Sequence, residues 1–237
     1  ITFTTSRTIS APGGGGFAFT TRPGSVTPEW IVKIDTGATL TVSSGSYINS
    51  PNRVISDGTG AGNLQIDGDL RIGLAGGWNS AITNTGTTSL GSASTITFNG
   101  TAAQVTGATL PSTLNKLTIN NAAGVTLSGN TTINNALTLT NGTLATGANT
   151  LTLKGATSGT GLINTGASGT LVYNGVSAQT VSNLTASTVN NLTVDNAAGV
   201  TVGADATVNN DLTITSGSLT VVSGKDLTVK NAVVNNG

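Results

Sequence analysis

The chain has 237 residues, of which nine are basic, nine are acidic and only 8% are charged in total. This balance argues against nucleic-acid binding, which needs a basic surface, and no apolar run approaches the ~20 residues of a membrane-spanning helix. Cysteine, histidine and methionine are absent, which excludes disulfides and metal sites built from thiolate or imidazole.

The first segment, residues 1–16, combines an alternating strand pattern with a glycine-rich tether. ITFTTSRTI at 1–9 precedes APGGGG at 11–16. The glycines are typical of a flexible linker, because the Lys-Ser/Thr pair of a phosphate-binding loop is missing. A tethered strand can add to the edge of a neighbouring sheet. We therefore expect either an ordinary first strand or a clasp between subunits, formed by Ile1, Phe3 and Thr5.

The second segment, residues 17–94, predicts irregular rungs of a coiled β structure or a cap on one end of it. Strand patterns occur in WIVKI at 30–34, ATLTV at 38–42 and LQIDGDLRI at 64–72. Six of the eight aromatic residues lie before residue 80: Phe3, Phe17, Phe19, Trp30, Tyr47 and Trp78. Trp30, Tyr47 and Trp78 are candidates for stacking on sugar rings, although packing in a core or cap is the simpler interpretation.

The acidic residues Asp57, Asp67 and Asp69 form the one acidic cluster of the sequence. Their oxygens make them a weak candidate for a calcium site. Asp67 and Asp69 alternate along a predicted strand with Arg71, so a solvated ladder of charges is the simpler interpretation. We expect no other metal and no cofactor.

An enzyme is not expected. No acidic residue lies between Asp69 and Asp195, and the chain has no histidine to activate a serine. That long stretch therefore offers no general base at neutral pH.

Two repeats follow, at 95–169 and 170–237. LTINNAAGVTLSGNTTINNALTLTNGTL at 117–144 matches LTVDNAAGVTVGADATVNNDLTITSGSL at 192–219 at 16 of 28 positions. Upstream, Ala103-Gln104 corresponds to Ala178-Gln179 at the same offset along the chain. A structural unit repeated at this period indicates a stacked architecture.

Apolar-Thr-apolar triplets separated by Asn-Gly or Ser-Gly predict short strands of three to five residues joined by tight turns. The pattern predicts an all-β fold, a right-handed parallel β-solenoid with rungs of ~19–25 residues and asparagine side chains laddering at the corners. Repeated β-sandwich modules are the alternative.

The segments 117–154 and 192–230 resemble secreted β-solenoid surface proteins of bacteria, such as haemagglutinin-like adhesins and autotransporter passengers. The resemblance implies an extracellular or cell-surface location, an elongated shape and a scaffolding or adhesive role. The expected function is a structural subunit or segment of a surface fibre, matrix filament or adhesin stalk, which associates with itself into a homopolymer or contacts surface glycans. A carbohydrate-binding adhesin domain is the alternative. A polysaccharide-active enzyme and an ice-binding protein are disfavoured, the latter because the Thr-x-Thr pairs are unevenly spaced.

Overall fold

The computed structural model describes backbone and side chains of residues 64–83, 87–184, 186 and 188–237, and before residue 64 it describes the backbone of the strands alone. The described chain is nearly all β, with parallel strands stacked as a β-solenoid, which confirms the predicted fold class. It divides into two compact units, Ile1–Leu110 and Pro111–Gly237. In each unit, one circuit of the chain is called a rung.

Thirteen strands and one short helix are described in the first unit. They are β1 (Thr2–Phe3), β2 (Arg7–Ile9), β3 (Phe17–Ala18), β4 (Ile31–Ile34), β5 (Thr39–Val42), β6 (Tyr47–Ser50), β7 (Val54–Ser56), β8 (Asn63–Ile66), β9 (Asp69–Ile72), α1 (Trp78–Ala81), β10 (Ile82–Thr83), β11 (Thr88–Leu90), β12 (Thr95–Phe98) and β13 (Gln104–Val105).

Three successive strands make one rung of the first unit, and each strand joins a different parallel sheet. One sheet runs β1-β4-β7-β10, the second runs β2-β5-β8-β11, and β3, β6, β9 and β12 pair in that order in the third. In the third sheet Phe17 pairs with Ile48, Ile48 with Leu70 and Leu70 with Ile96, so successive rungs differ in length.

The core of the first unit follows the strand period of two. Leu64, Ile66, Leu70 and Ile72 are fully buried, and the polar side chains that alternate with them are part-exposed. The single strand predicted over 64–72 is wrong, because a bend at Asp67-Gly68 separates β8 from β9. This bend turns the chain from one sheet to the next, which three-sheeted packing requires.

Among its described residues, the second unit has fifteen strands. They are β14 (Thr113–Asn120), β15 (Val125–Thr126), β16 (Thr131–Asn141), β17 (Thr143–Ala145), β18 (Thr150–Leu153), β19 (Ala156–Gly159), β20 (Leu162–Asn164), β21 (Thr170–Tyr173), β22 (Gln179–Val181), β23 (Thr188–Val189), β24 (Asn191–Val202), β25 (Ala206–Val208), β26 (Leu212–Val221), β27 (Leu227–Val229) and β28 (Val233–Asn235).

The main sheet of the second unit stacks β14, β16, β18, β21, β24, β26 and β28 in parallel. Two smaller parallel sheets run β15-β17-β20 and β23-β25-β27. The rungs are nearly equal in length, since Leu114 pairs with Ile133, Ile133 with Leu153 and Leu212 with Val233. This spacing falls within the predicted range of rung lengths. The β-sandwich alternative is wrong, because its sheets are antiparallel and these ladders are parallel.

A column of aliphatic side chains runs through the second unit. Leu151, Leu171 and Leu192 lie in register on successive rungs and are buried, and Leu212 and Val233 continue the column. Burying one leucine contributes about 1.5–3 kcal/mol relative to leaving it exposed. Each rung therefore covers the apolar side chains of the rung before it.

Four strands are longer than the three to five residues predicted. β14, β16, β24 and β26 have 8, 11, 12 and 10 residues. Matching register shifts occur after Ile119 on β14 and after Val194 on β24, which are equivalent positions of the two repeats. A β-bulge bends a strand without ending it, so one strand passes from one face to the next. The repeated sequence therefore encodes a repeated bulge.

Asn141-Gly142 and Ser216-Gly217 occupy equivalent places of the two repeats, at the end of β16 and within β26. Gly142 and Gly217 have φ of 82° and 80°, which favours glycine. Each also lies against the backbone of the previous rung. A Cβ on Gly142 would lie 1.8 Å from the carbonyl oxygen of Asn121, and a Cβ on Gly217 would lie 1.8 Å from that of Asn196.

Candidate functional site

The two described aspartates of the acidic cluster are held by neighbouring side chains. The Gln65 amide donates to Asp67 at 2.8 Å. The Arg71 Nε donates to one oxygen of Asp69 at 2.8 Å, and the Thr97 hydroxyl donates to the other at 2.7 Å. Asp57 lies outside the described residues. Among residues that the structure describes, no group of three or more acidic side chains comes together to hold a metal.

Asp69 provides a direct test of calcium binding. We expect Asp69→Asn to cost less than about 1 kcal/mol, because the ion pair with Arg71 is part-exposed and the amide oxygen still accepts from Thr97. Thermal unfolding with and without millimolar calcium measures both effects. Calcium is expected to leave the melting temperature of the wild type and the variant unchanged. A rise that occurs in the wild type alone would establish a calcium site at Asp69.

The structure describes the side chain of one of the three aromatic candidates for sugar stacking, Trp78. Trp78 begins α1 and is only 3% exposed, so its ring is packed as a core residue. Tyr47 begins β6, and its side chain lies outside the described residues, as does all of Trp30. The structure therefore gives Trp78 a packing role, and sugar stacking by Trp30 and Tyr47 stays a prediction.

The predicted clasp is described only in part. Phe3 belongs to β1, which pairs in parallel with β4 of its own unit through Thr2–Lys33 and Phe3–Ile34. Ile1 and Thr5 lie outside the described residues. The pairing fits an ordinary first strand of a solenoid, and donation to a second molecule stays a prediction.

A buried glutamine occurs once in each repeat and makes the same set of hydrogen bonds. Gln179 donates to the carbonyls of Leu153 and Gly155, both at 3.0 Å, and accepts from the Gly175 N–H at 2.9 Å. Gln104 donates to the carbonyls of Ile72 and Leu74 and accepts from the Gly100 N–H. Each glutamine therefore replaces part of a backbone ladder between two rungs.

These glutamines carry a structural role that composition alone did not indicate. The signal was present, since both occupy the same position of the repeated sequence and are followed by alternating strand residues. A polar residue retained in both repeats inside an apolar core needs hydrogen-bond partners, because an unpaired amide there costs free energy.

The NAAGVT sequence shared by residues 121–126 and 196–201 also has a structural role, because its buried asparagine forms hydrogen bonds with the backbone. Asn121 and Asn196 are fully buried, and each side-chain oxygen accepts from the backbone N–H two residues later at 2.9 Å. Asn196 also donates to Gln179 at 2.9 Å. The first residue of the hexapeptide thus fixes the backbone that follows it, in a turn after β14 in the first repeat and within β24 in the second, where the buried glutamine also holds it.

Asparagine side chains form a ladder toward the last rung of the second unit. Asn210 Nδ2 donates to Asn191 Oδ1 at 2.8 Å, and Asn231 Nδ2 donates to Asn210 Oδ1 at 3.1 Å. The predicted ladder is present on these rungs. It has a direction, since each rung donates to the rung before it.

The last rung of the second unit exposes apolar side chains and strand edges. Val233 is 59% exposed although it continues the buried leucine column, and Val221, Val222 and Val234 are also exposed. β28 ends the main sheet and β27 ends a smaller one. Such an edge is a template for pairing with another β segment. This surface, defined by β27, β28 and the exposed valines, is called the terminal face.

In the described part of the chain, no helix combines the length and the apolar character needed to cross a bilayer. No protein-family model, curated protein or solved structure matches the chain.

Proposed function

We propose that the chain is an extracellular structural protein, a subunit or segment of a cell-surface fibre, matrix filament or adhesin stalk. The observation that carries this proposal is the stacking of parallel strands into a β-solenoid, in which each rung pairs with the rung before it and offers an edge to the next. The low content of charged residues and the absence of easily oxidised cysteine and methionine suit exposure outside the cell. The proposed role is mechanical rather than catalytic.

A second molecule of this chain is the proposed occupant of the terminal face. Parallel stacking is directional, so the matching surface must offer the opposite edge. In the first unit β1, β2 and β3 are each the last strand on one side of their sheet. The Asn231 side chain, which donates to the rung before it, can accept from the following rung through its Oδ1. Head-to-tail contacts of this kind build open filaments.

The assembly test places a charge on the terminal face. Purified wild type is expected to form linear assemblies under the electron microscope. Val233→Lys is expected to give dispersed particles, because an inward-facing charge at the end of the apolar column opposes stacking. Val176→Lys is the matched control, since Val176 is 97% exposed but lies outside the last rung, and it should assemble as the wild type does.

Deletion of Ile1–Ser10, which removes β1 and β2 from the opposite sheet edge, is tested in the same assay. We expect a folded chain, by circular dichroism, that no longer polymerises. Dispersed wild-type particles at high concentration, or filaments formed by Val233→Lys, would contradict assembly through the terminal face. If the deletion variant forms filaments while Val233→Lys does not, the N-terminal strand is not the partner of the terminal face.

A further inference from the structure

The main sheet of the second unit contains a break between two neighbouring rungs. β19 pairs with β16 on the preceding rung, and β22 pairs with β24 on the following rung. Within the described residues no ladder joins β19 to β22. The facing edges of these two strands therefore lack the backbone pairing that connects the other rungs.

Side-chain amides bridge the break at both ends. Gln179 donates to the Gly155 carbonyl at 3.0 Å on one side. Asn183, which has a positive φ of 59°, donates to the Gly159 and Gly161 carbonyls at 3.0 and 2.9 Å on the other. The two amides hold the rungs together while leaving the strand edges between them apart.

A pocket of about 160 Å³ lies at this break and is lined by Gly155, Ala156, Thr157, Tyr173, Gln179, Thr180 and Ser182. Its lining contains three side-chain hydroxyls besides that of Tyr173 and no charged group. The hydroxyl oxygens of Thr157 and Tyr173 are buried; that of Thr157 has no hydrogen-bond partner among the described residues, and that of Tyr173 lies near the Ser182 backbone without a well-formed hydrogen bond. An orphaned buried hydroxyl costs about 1–3 kcal/mol.

The Tyr173 ring is 1% exposed, and burial raises the pKa of its phenol well above the usual value, an effect that the nearby Ser182 backbone partly offsets. The phenol is therefore a neutral hydrogen-bond donor at any physiological pH. Since the lining is neutral and hydroxyl-rich, it favours an uncharged partner that both accepts and donates hydrogen bonds.

The first repeat provides an internal comparison. Its residue at the Tyr173 position is Phe98, and Gln104 makes the same bonds as Gln179. There the rungs are joined directly, because the Val105 N–H donates to the Ala75 carbonyl and the Trp78 N–H donates to the Thr106 carbonyl. The fold of the rung therefore does not need the hydroxyl. Tyrosine replaces phenylalanine in the repeat that contains the open break.

We propose that the pocket between β19 and β22 is a binding site for small neutral hydroxylated molecules, with Thr157 Oγ1 and Tyr173 Oη as its hydrogen-bonding groups. The shared chemistry is a hydroxyl group, supplied by water or by a polyol or sugar. A volume of about 160 Å³ admits several waters or one small polyol. This site is independent of filament assembly, because none of its residues belongs to the terminal face.

The test uses the tyrosine ring as a reporter. The chain has two tyrosines, Tyr47 and Tyr173, so isotope labelling of tyrosine gives two sets of ring signals, and Tyr173→Phe assigns them. Glycerol and glucose are titrated separately. We expect saturable shifts of the Tyr173 signals, with affinity about tenfold lower in Thr157→Val, which loses one hydrogen bond. Thr152→Val on β18, outside the pocket, should bind as the wild type does.

The outcomes distinguish water, a polyol and a sugar as the source of the bound hydroxyl group. Saturation by glycerol alone identifies a small polyol, and saturation by both probes identifies a sugar hydroxyl. If neither shifts the signals but the Tyr173 hydroxyl proton shows magnetisation transfer from long-lived water, the hydroxyl is supplied by water. No probe effect and no long-lived water at Tyr173 would overturn the proposal. Tyr173→Phe should fold normally in every case, since the first repeat already carries phenylalanine.

Discussion

Gly142→Ala is expected to destabilise the second unit by about 2–5 kcal/mol. A left-handed backbone costs alanine about 1–2 kcal/mol, and overpacking adds about 1–3 kcal/mol. The overpacking arises because the new Cβ would lie 1.8 Å from the Asn121 carbonyl oxygen, which is held in place by accepting from the Gly124 N–H. Gly217→Ala should behave alike, because its Cβ would meet the Asn196 carbonyl oxygen at the same distance. Urea unfolding followed by circular dichroism measures both.

Two control variants separate the contributions to that loss. Gly224 has φ of 76°, but no atom lies within 4 Å of the place that a Cβ would take, so Gly224→Ala should cost only the conformational part, about 1 kcal/mol. Gly129 has open space and no positive φ, so Gly129→Ala should be neutral or slightly stabilising. Equal losses at Gly142 and Gly224 would show that the contact with Asn121 does not constrain the rung.

Gln179→Leu is the second large effect, with an expected loss of about 3–5 kcal/mol. The change removes the acceptor of the Gly175 N–H and the donor to the Leu153 and Gly155 carbonyls. It also removes the acceptor of the Asn196 amide. Each buried group left unpaired costs about 1–3 kcal/mol, and water entering at the adjacent pocket recovers part of it. The free energy of unfolding in urea is the measurement.

Thr180→Val is the matched control for Gln179→Leu, because Thr180 is the next residue on β22, is exposed and pairs through its backbone with Thr201. Its effect should stay within about 0.5 kcal/mol. Gln104→Leu should reproduce the loss in the first unit. A loss below about 1 kcal/mol in both glutamine variants would contradict the role of these side chains in joining rungs.

The fold class was predictable because it depends on features that the sequence states directly. Alternation of leucine and threonine sets the strand period, and an exact hexapeptide that occurs at both 121–126 and 196–201 indicates a stacked unit. The positive φ of Gly142 and Gly217 follows from their place in Asn-Gly and Ser-Gly turns. These signals are local, so they do not depend on how distant segments pack.

Features that depend on pairing between rungs could not be read in this way. The single strand predicted over 64–72 failed because the bend at Asp67-Gly68 is set by three-sheeted packing. Long strands were missed because the turn-like residues from Asn196 to Gly199 interrupt the apolar-polar alternation, although β24 continues through them. The pocket depends on Thr157 and Tyr173 meeting across a break in the ladder, and no motif spaces those residues.

The terminal face could not be predicted from the amino-acid composition either. Val233 belongs to the same aliphatic column as Leu212, and its sequence context looks like that of a core residue. Only the register shows that it caps the column with more than half of its surface exposed. The assembly proposal therefore rests on the rung register rather than on the repeats alone.

Distances along one column of the second unit test the parallel stack directly. Thr132, Thr152, Val172, Thr193, Thr213 and Val234 lie in register on successive rungs, and their side chains point away from the core. The chain has no cysteine, so pairs of cysteines can be introduced and spin-labelled without background. Pulsed electron resonance then gives the label separation.

The account predicts that the separation grows by about 4.8 Å for each rung between the labels. The pairs Thr152→Cys/Thr213→Cys, Thr132→Cys/Thr213→Cys and Thr132→Cys/Val234→Cys should therefore give evenly increasing distances near 14, 19 and 24 Å, each rounded from about 4.8 Å per rung. Distances that fail to increase in this order, as in two facing antiparallel sheets, would contradict the stacked solenoid.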